Sequence, residues 1–208
     1  MKGDKRFELK GSTFPPGLNV RFFKLHNDPW FDDVPQWTSS YISDYAKSKS
    51  WAASVRYGGE DVFTAKLYYV AHGPSLTRRG FTPDSVFRTP RWELGDVYMS
   101  EHLHGTFFPD KDWRSPGRPD VPVKWSYACL FAVLLAAERR NIVKPTDTLV
   151  LWTTADNPKA IALYRKLGFE VVAPENSQQA AEWIENVYQL QGESAKHPKR
   201  VMVLPGVI

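Results

Sequence analysis

Residues 147–172, DTLVLWTTADNPKAIALYRKLGFEVV, constrain the fold more than any other stretch of the chain. DTLVLWTTA is a continuous apolar strand, the kind buried on both faces of a sheet that helices cover. Asn157-Pro158 then opens a helix with proline in its first turn, and Leu167-Gly168 ends it with glycine in the left-handed cap. Phe169 to Val172 resumes a strand. A strand, a helix and a strand in this succession need a sheet to join, so the rest of the chain has to supply one.

Upstream, residues 18–26 (LNVRFFKLH) mix β-branched and aromatic side chains after a Pro-Pro-Gly turn and read as an opening strand. In residues 34–49 Trp37, Tyr41, Ile42 and Tyr45 recur at spacings of three and four, one face of a helix. Trp51–Tyr57 and Val62–Val70 flank Gly58-Gly59-Glu60-Asp61 with apolar residues at every second position, a hairpin. Residues 71–91 read as a long loop, 92–100 as a strand, and 106–122 as an irregular stretch ordered only if its aromatics are buried. Residues 125–140 are apolar nearly all round with Arg139 and Arg140 at the end, as in a central helix whose terminal dipole meets basic side chains. Residues 178–190 form a further amphipathic helix, and 200–208 a closing strand.

The alternation predicts an α/β (α+β) fold, a mixed, mostly antiparallel central sheet with helices on both faces. With 208 residues the chain is expected to form a single domain, with insertions near 71–91, 106–124 and 175–197. The lone Cys129 excludes an intramolecular disulfide, and no apolar run reaches the roughly 18 residues of a membrane span. The charged start MKGDKRFELK has no signal-peptide pattern, so a cytoplasmic setting is expected. Cys129 lies within an apolar helix and is read as packed rather than nucleophilic.

The strand ending in Thr-Thr-Ala-Asp, followed by Asn157, Ala160, Leu163, Tyr164, Lys166, Gly168 and Phe169 at fixed spacing, resembles the carboxyl-terminal signature of the GNAT superfamily of acyl-CoA-dependent N-acyltransferases. The resemblance implies an N-acyltransferase that moves an acetyl or related acyl group from acyl-CoA to an amine by direct attack. In it the Asn157 helix start contacts the donor, and the Tyr164 hydroxyl is the general acid that protonates the departing thiolate. Simpler roles stand beside these. Asn157 suits a helix N-cap, Leu163 and Phe169 suit the core, and Ala160 permits close helix approach.

The family's pyrophosphate loop joins the preceding strand to the central helix through glycines whose amides face the anion. Residues 96–105, DVYMSEHLHG, occupy that place, with Met99 at the strand end. His104 stands where arginine is usual, Gly105 is the one matching glycine, and roughly twenty residues intervene before the helix. Arg114, Arg118 and Lys124 are then the candidates to hold phosphate with side-chain cations. On the acceptor side the resemblance points to carboxylates of the same strand, with Asp96 or Glu101 as base or amine anchor. Glu101, His102 and His104 also have the look of metal ligands, but a third ligand such as His26 or His72 cannot be placed by spacing, and no metal is expected.

Net charge is +4 with a pI near 9.1, favouring anionic partners, although the basic residues are spread without a long block. The expected partner is an amine-bearing small molecule, protein or nucleic acid, and the protein a monomer or homodimer. A rival reading makes the chain a GNAT-like nucleic-acid-modifying protein, similar to the Mom-type DNA modifiers, with the arginines of 78–91 and an exposed Trp113 as its contact surface. A third reading is a non-catalytic binding module.

Overall fold

The computed structural model describes residues 12–25, 49–70, 91–114, 121–154, 156–171 and 199–204. Seven strands form one sheet in the order β1-β2-β3-β4-β5-β7-β6. They are β1 (Asn19–Lys24), β2 (Trp51–Tyr57), β3 (Glu60–Val70), β4 (Arg91–Met99), β5 (Leu149–Thr154), β6 (Glu170–Val171) and β7 (Lys199–Leu204). Every neighbouring pair is antiparallel except β4 and β5. Two helices accompany them, α1 (Trp125–Arg139) and α2 (Pro158–Lys166). This is the mixed, mostly antiparallel α/β sheet that the residue pattern predicts. The helices expected within 34–49 and 178–190, the loop 71–91 and the insertion 175–197 fall wholly or almost wholly outside the described residues, as do Arg118, His26 and His72.

Local chemistry explains the elements. Gly58 and Gly59 have φ of 58° and 94°, so the hairpin turns on two residues and pairing resumes at Glu60, two residues earlier than the sequence pattern suggests. In β5 the consecutive residues Leu149, Val150 and Leu151 are all buried, as a strand covered on both sides requires. Twelve of the fifteen residues of α1 are buried, which makes it the central helix of the core. It lies against β1, β2 and β3 and shares one buried cluster with Val55, Phe63, Ala65, Leu67 and Leu94. Its last turn is basic, as expected, with Arg139 in it and Arg140 at the C-cap. Asn141, at φ 55°, closes the helix, while Arg139 and Arg140 reach away to the carbonyl oxygens of Ser12 (3.0 Å) and Val20 (3.2 Å), tying the first strand to the core.

In segment 106–124, residues 106–114 and 121–124 are described, and aromatics of the first part are buried. Phe108 and Trp113 are buried. Their rings sit 5.7 Å apart, Phe108 meets Trp125 at 4.9 Å, and Trp113 meets Phe131 of α1 at 5.6 Å. Asp110 Oδ1 accepts from the amides of Asp112 and Trp113, turning the chain so that Trp113 points inward. Trp113 Nε1 then donates to Thr13 O at 3.2 Å. An exposed Trp113 offered to stacking bases is therefore corrected. The ring is spent on the core.

Candidate functional site

The site begins where two strands part. β4 and β5 are paired only at Trp92 with Leu149 and Glu93 with Val150. Beyond Glu93, β4 continues to Met99 and β5 continues from Val150 to Thr154 with no further pairing between them. A bulge in β4 sits on the diverging side. Its pairing with β3 passes from Gly95 opposite Lys66 to Tyr98 opposite Thr64, and Asp96 adopts φ 47°. A bulge bends its strand and sharpens the local twist, which turns the end of β4 away from β5.

The end of β4 leads into a tight turn. Glu101–Leu103 is one 3₁₀ turn, and the His104 ring nitrogen Nε2 lies 2.9 Å from Met99 O. A carbonyl oxygen only accepts, so Nε2 carries the proton in this contact. Gly105 follows at φ 76°, with no atom within 4 Å of where a Cβ would stand, so conformation and not space calls for glycine. The long excursion after it is then closed at its base. Phe107 and Lys124 form a bridge, the Phe108 amide donates to Val123 O (2.7 Å), and the Trp125 amide donates to Thr106 O (3.2 Å). The short loop and the start of α1 are thereby brought edge to edge, although sixteen residues separate Phe107 from Lys124 in the chain.

The result is a cavity of about 600 Å³ between the end of β4, the first turn of α1 and one face of α2. Met99, His104, Gly105 and Lys124, four residues singled out from the sequence, all line it. From α2 come Lys159, Ala160, Ala162, Leu163 and Lys166, a set spaced on one helical face. Lys159 and Lys166 are seven positions apart, about 10 Å along the axis. Phe107 and Val121 complete the wall and are exposed, at 58% and 47%. Among the described residues no carboxylate lines it, and the first turn of α1 holds no acidic residue and no side-chain cap. A helix N-terminus with three lysines around an otherwise apolar cleft suits a ligand with an anionic head and an apolar stem.

The other singled-out residues sit apart. Asn157 Oδ1 accepts from the Ala160 amide at 3.1 Å, so its side chain caps α2. Tyr164 follows the lining Leu163 but is itself buried, its ring 5.9 Å from Phe169. Burial pushes its phenol pKa up, so the hydroxyl keeps its proton at neutral pH. The Asp96 carboxylate accepts from Tyr68 Oη and pairs with Lys66 Nζ at 3.3 Å. Glu101 is exposed at the start of the 3₁₀ turn, and Arg114 spends Nη1 on Trp113 O. Neither carboxylate lines the cavity, and neither does Arg114. Among the described residues no three ligand-type side chains gather around a metal position. Cys129 is buried, and burial pushes its thiol up to about 12.

Sequence reasoning missed Lys159 and gave Lys166 no role, although the spacing Lys159, Ala162, Leu163, Lys166 would have put them together. It also assigned Ala160 and Leu163 to packing alone, whereas both border the cavity.

No family model matches the chain, and no characterised protein sequence does. Solved structures do resemble it. A GNAT family acetyltransferase from Elizabethkingia anophelis with acetyl-CoA bound is 13% identical over 92% of this chain and 99% of its own, with a TM-score of 0.49. A Bacillus subtilis acetyltransferase in complex with CoA is 12% identical over 92% and 99%, with a TM-score of 0.48. The ribosomal-protein-S18-alanine N-acetyltransferase of Escherichia coli is 15% identical over 92% and 95%, also at 0.48. At such identities and TM-scores these likenesses assign no chemistry to the chain. Among the described residues no helix is long and apolar enough to cross a membrane.

Proposed function

We propose that the chain is an acyl-CoA-dependent N-acyltransferase that takes its donor into the cavity between β4, α1 and α2. The observation that carries this reading is the cavity itself. It joins three lysines and the first turn of α1 to a mainly apolar cleft beside the end of β4, and the sequence signature that implies such a donor runs along its α2 wall. Lys124, Lys159 and Lys166 hold the phosphates, and Met99, Phe107 and Leu163 flank the apolar arm. This arrangement replaces the missing glycines of the phosphate loop with side-chain charge.

The reaction is a direct transfer. The free amine attacks the thioester carbonyl, the carbon–sulfur bond breaks, and the thiolate takes a proton from Tyr164. Tyr164, buried and next in the chain to the lining Leu163, takes this role from the sequence signature and not from the cavity lining. Asp96 or Glu101 accepts the proton that the attacking nitrogen loses, directly or through water. The acceptor is an amine.

Calorimetry with acetyl-CoA on the full chain tests the reading. Binding is expected, weakened about tenfold or more by Lys159→Ala, since a hydrogen bond to a charged group contributes about 1.5–3 kcal/mol. Tyr164→Phe is expected to bind the donor normally and to lose about 10²–10⁴ in the transfer step. No heat from the wild-type chain sinks the donor assignment.

A further inference from the structure

A second basin lies at the opposite end of β4. Trp92 and Met99 mark the two ends of this strand, about 23 Å apart at 3.3 Å per residue. The basin has a volume of about 520 Å³ and, among the described residues, gathers four cations, Lys24, Lys49, Arg140 and Lys144, and the carboxylate of Asp147. Its floor is aromatic, from Trp51, Tyr69 and Trp92. Two of the cations are held against those rings. Lys24 Nζ stands 3.8 Å above the Trp51 centroid, and Lys49 Nζ stands 5.2 Å from that of Tyr69. Such contacts favour ammonium groups kept at the ring and not swung into bulk water.

This carboxylate is occupied by the fold. Asp147 Oδ2 accepts from Trp92 Nε1 (3.1 Å) and from the Lys144 amide (2.8 Å), so it shapes the turn before β5. The C-terminus of α1, which also borders the basin, would repel an anion if its carbonyls were bare. They are engaged: Ala136, Ala137 and Glu138 accept from the amides of Arg140, Ile142 and Asn141. Lys24 carries the strain of the grouping. Its pKa is lowered, first by burial and then by the charge of Lys49. An anion in the basin would relieve that repulsion.

We propose that this basin binds a phosphorylated small molecule of nucleotide size, with the phosphate held by Lys24, Lys49, Arg140 and Lys144. Four cations converging on one basin among the described residues favour a group bearing two negative charges over a simple carboxylate. The aromatic floor and the volume leave room for a ring attached to it. The proposal stands independently of the donor cavity.

The test is calorimetry on the full chain at low salt with AMP, inorganic phosphate and adenosine. AMP is expected to bind most tightly, phosphate more weakly and adenosine not measurably. Lys24→Ala with Lys49→Ala is expected to weaken AMP at least tenfold and leave acetyl-CoA unchanged, whereas Lys159→Ala leaves AMP unchanged. Should that double variant melt early, Lys144→Gln in its place is expected to weaken AMP severalfold. Absence of AMP binding, or AMP binding lost with Lys159→Ala and kept in the basin variants, overturns the proposal. So does a single-stranded oligonucleotide that binds through the same lysines at least tenfold more tightly than AMP.

Discussion

Trp113→Ala is expected to destabilise the whole protein and not only the segment that carries it. The residue is 5% exposed, its ring packs 5.7 Å from Phe108 and 5.6 Å from Phe131, and Nε1 donates to Thr13 O. Truncating a buried tryptophan costs about 3–5 kcal/mol, by lost transfer and by the cavity left behind. For a chain of this length each kcal/mol lowers Tm by about 2–4 °C, so a drop of roughly 6–20 °C is expected. Trp113→Phe keeps most of the ring and removes the hydrogen bond, at a cost of about 1–2 kcal/mol. Scanning calorimetry of the three proteins measures both. If Trp113→Ala melts within about 2 °C of wild type while a protease cuts near residues 109–114, the segment opens on its own and the shared core is refuted.

Gly95→Ala and Gly105→Ala separate two kinds of backbone demand. At Gly95 a Cβ would sit 2.9 Å from Tyr68 Cε2, so the ring that donates to Asp96 has to move. Combining the change with Tyr68→Ala is expected to recover most of a roughly 1–3 kcal/mol loss, and additive losses in denaturant melts would remove the contact from the account. Gly105→Ala meets no atom and is expected to cost only about 1–2 kcal/mol, from its positive φ. Asn157→Ala deletes the cap of α2 and is expected to cost about 1 kcal/mol in the same melts, with Asn157→Ser restoring most of it. Cys129 gives a pH dependence. Its thiol titrates near 9.0 unfolded and near 12 folded, so above pH 9 the unfolded chain binds fewer protons and stability falls as pH rises. The slope from this group is at most about 1.4 kcal/mol per pH unit between 9 and 12, and denaturant midpoints of Cys129→Ala are expected to lack it.

Much of this was written in local pattern. α1 announces itself because its residues are apolar on all sides, and β5, α2 and β6 because Asn-Pro and Leu-Gly punctuate an apolar strand and its successor. These signals act over a few residues and survive without tertiary knowledge. The site was legible only in part. Met99, His104, Gly105 and Lys124 could be picked out, but what joins the first three to Lys124 is a bridge across an excursion, and no spacing rule foretells where a chain returns. The departure of β4 from β5 is equally invisible, since it depends on hydrogen bonds between residues more than fifty positions apart. Trp113 looked available because it sits among Pro, Asp and Arg. Its burial follows from Asp110 turning the backbone, a side-chain effect that composition hides.

The bulge at Asp96 also has a consequence for counting. In a regular strand, odd and even residues look to opposite sides, and here one surplus residue reverses that parity midway along β4. Gly95 and Tyr98, three apart, oppose Lys66 and Thr64 on one side, while Met99, opposite Phe63, goes to the other. Substitutions within this strand disturb one residue each. Deleting a single residue between Gly95 and Tyr98 would instead take out the surplus one: plain alternation would leave Tyr98 opposite Thr64 and Met99 opposite Phe63, and what would be lost is the bend that carries the end of β4 aside.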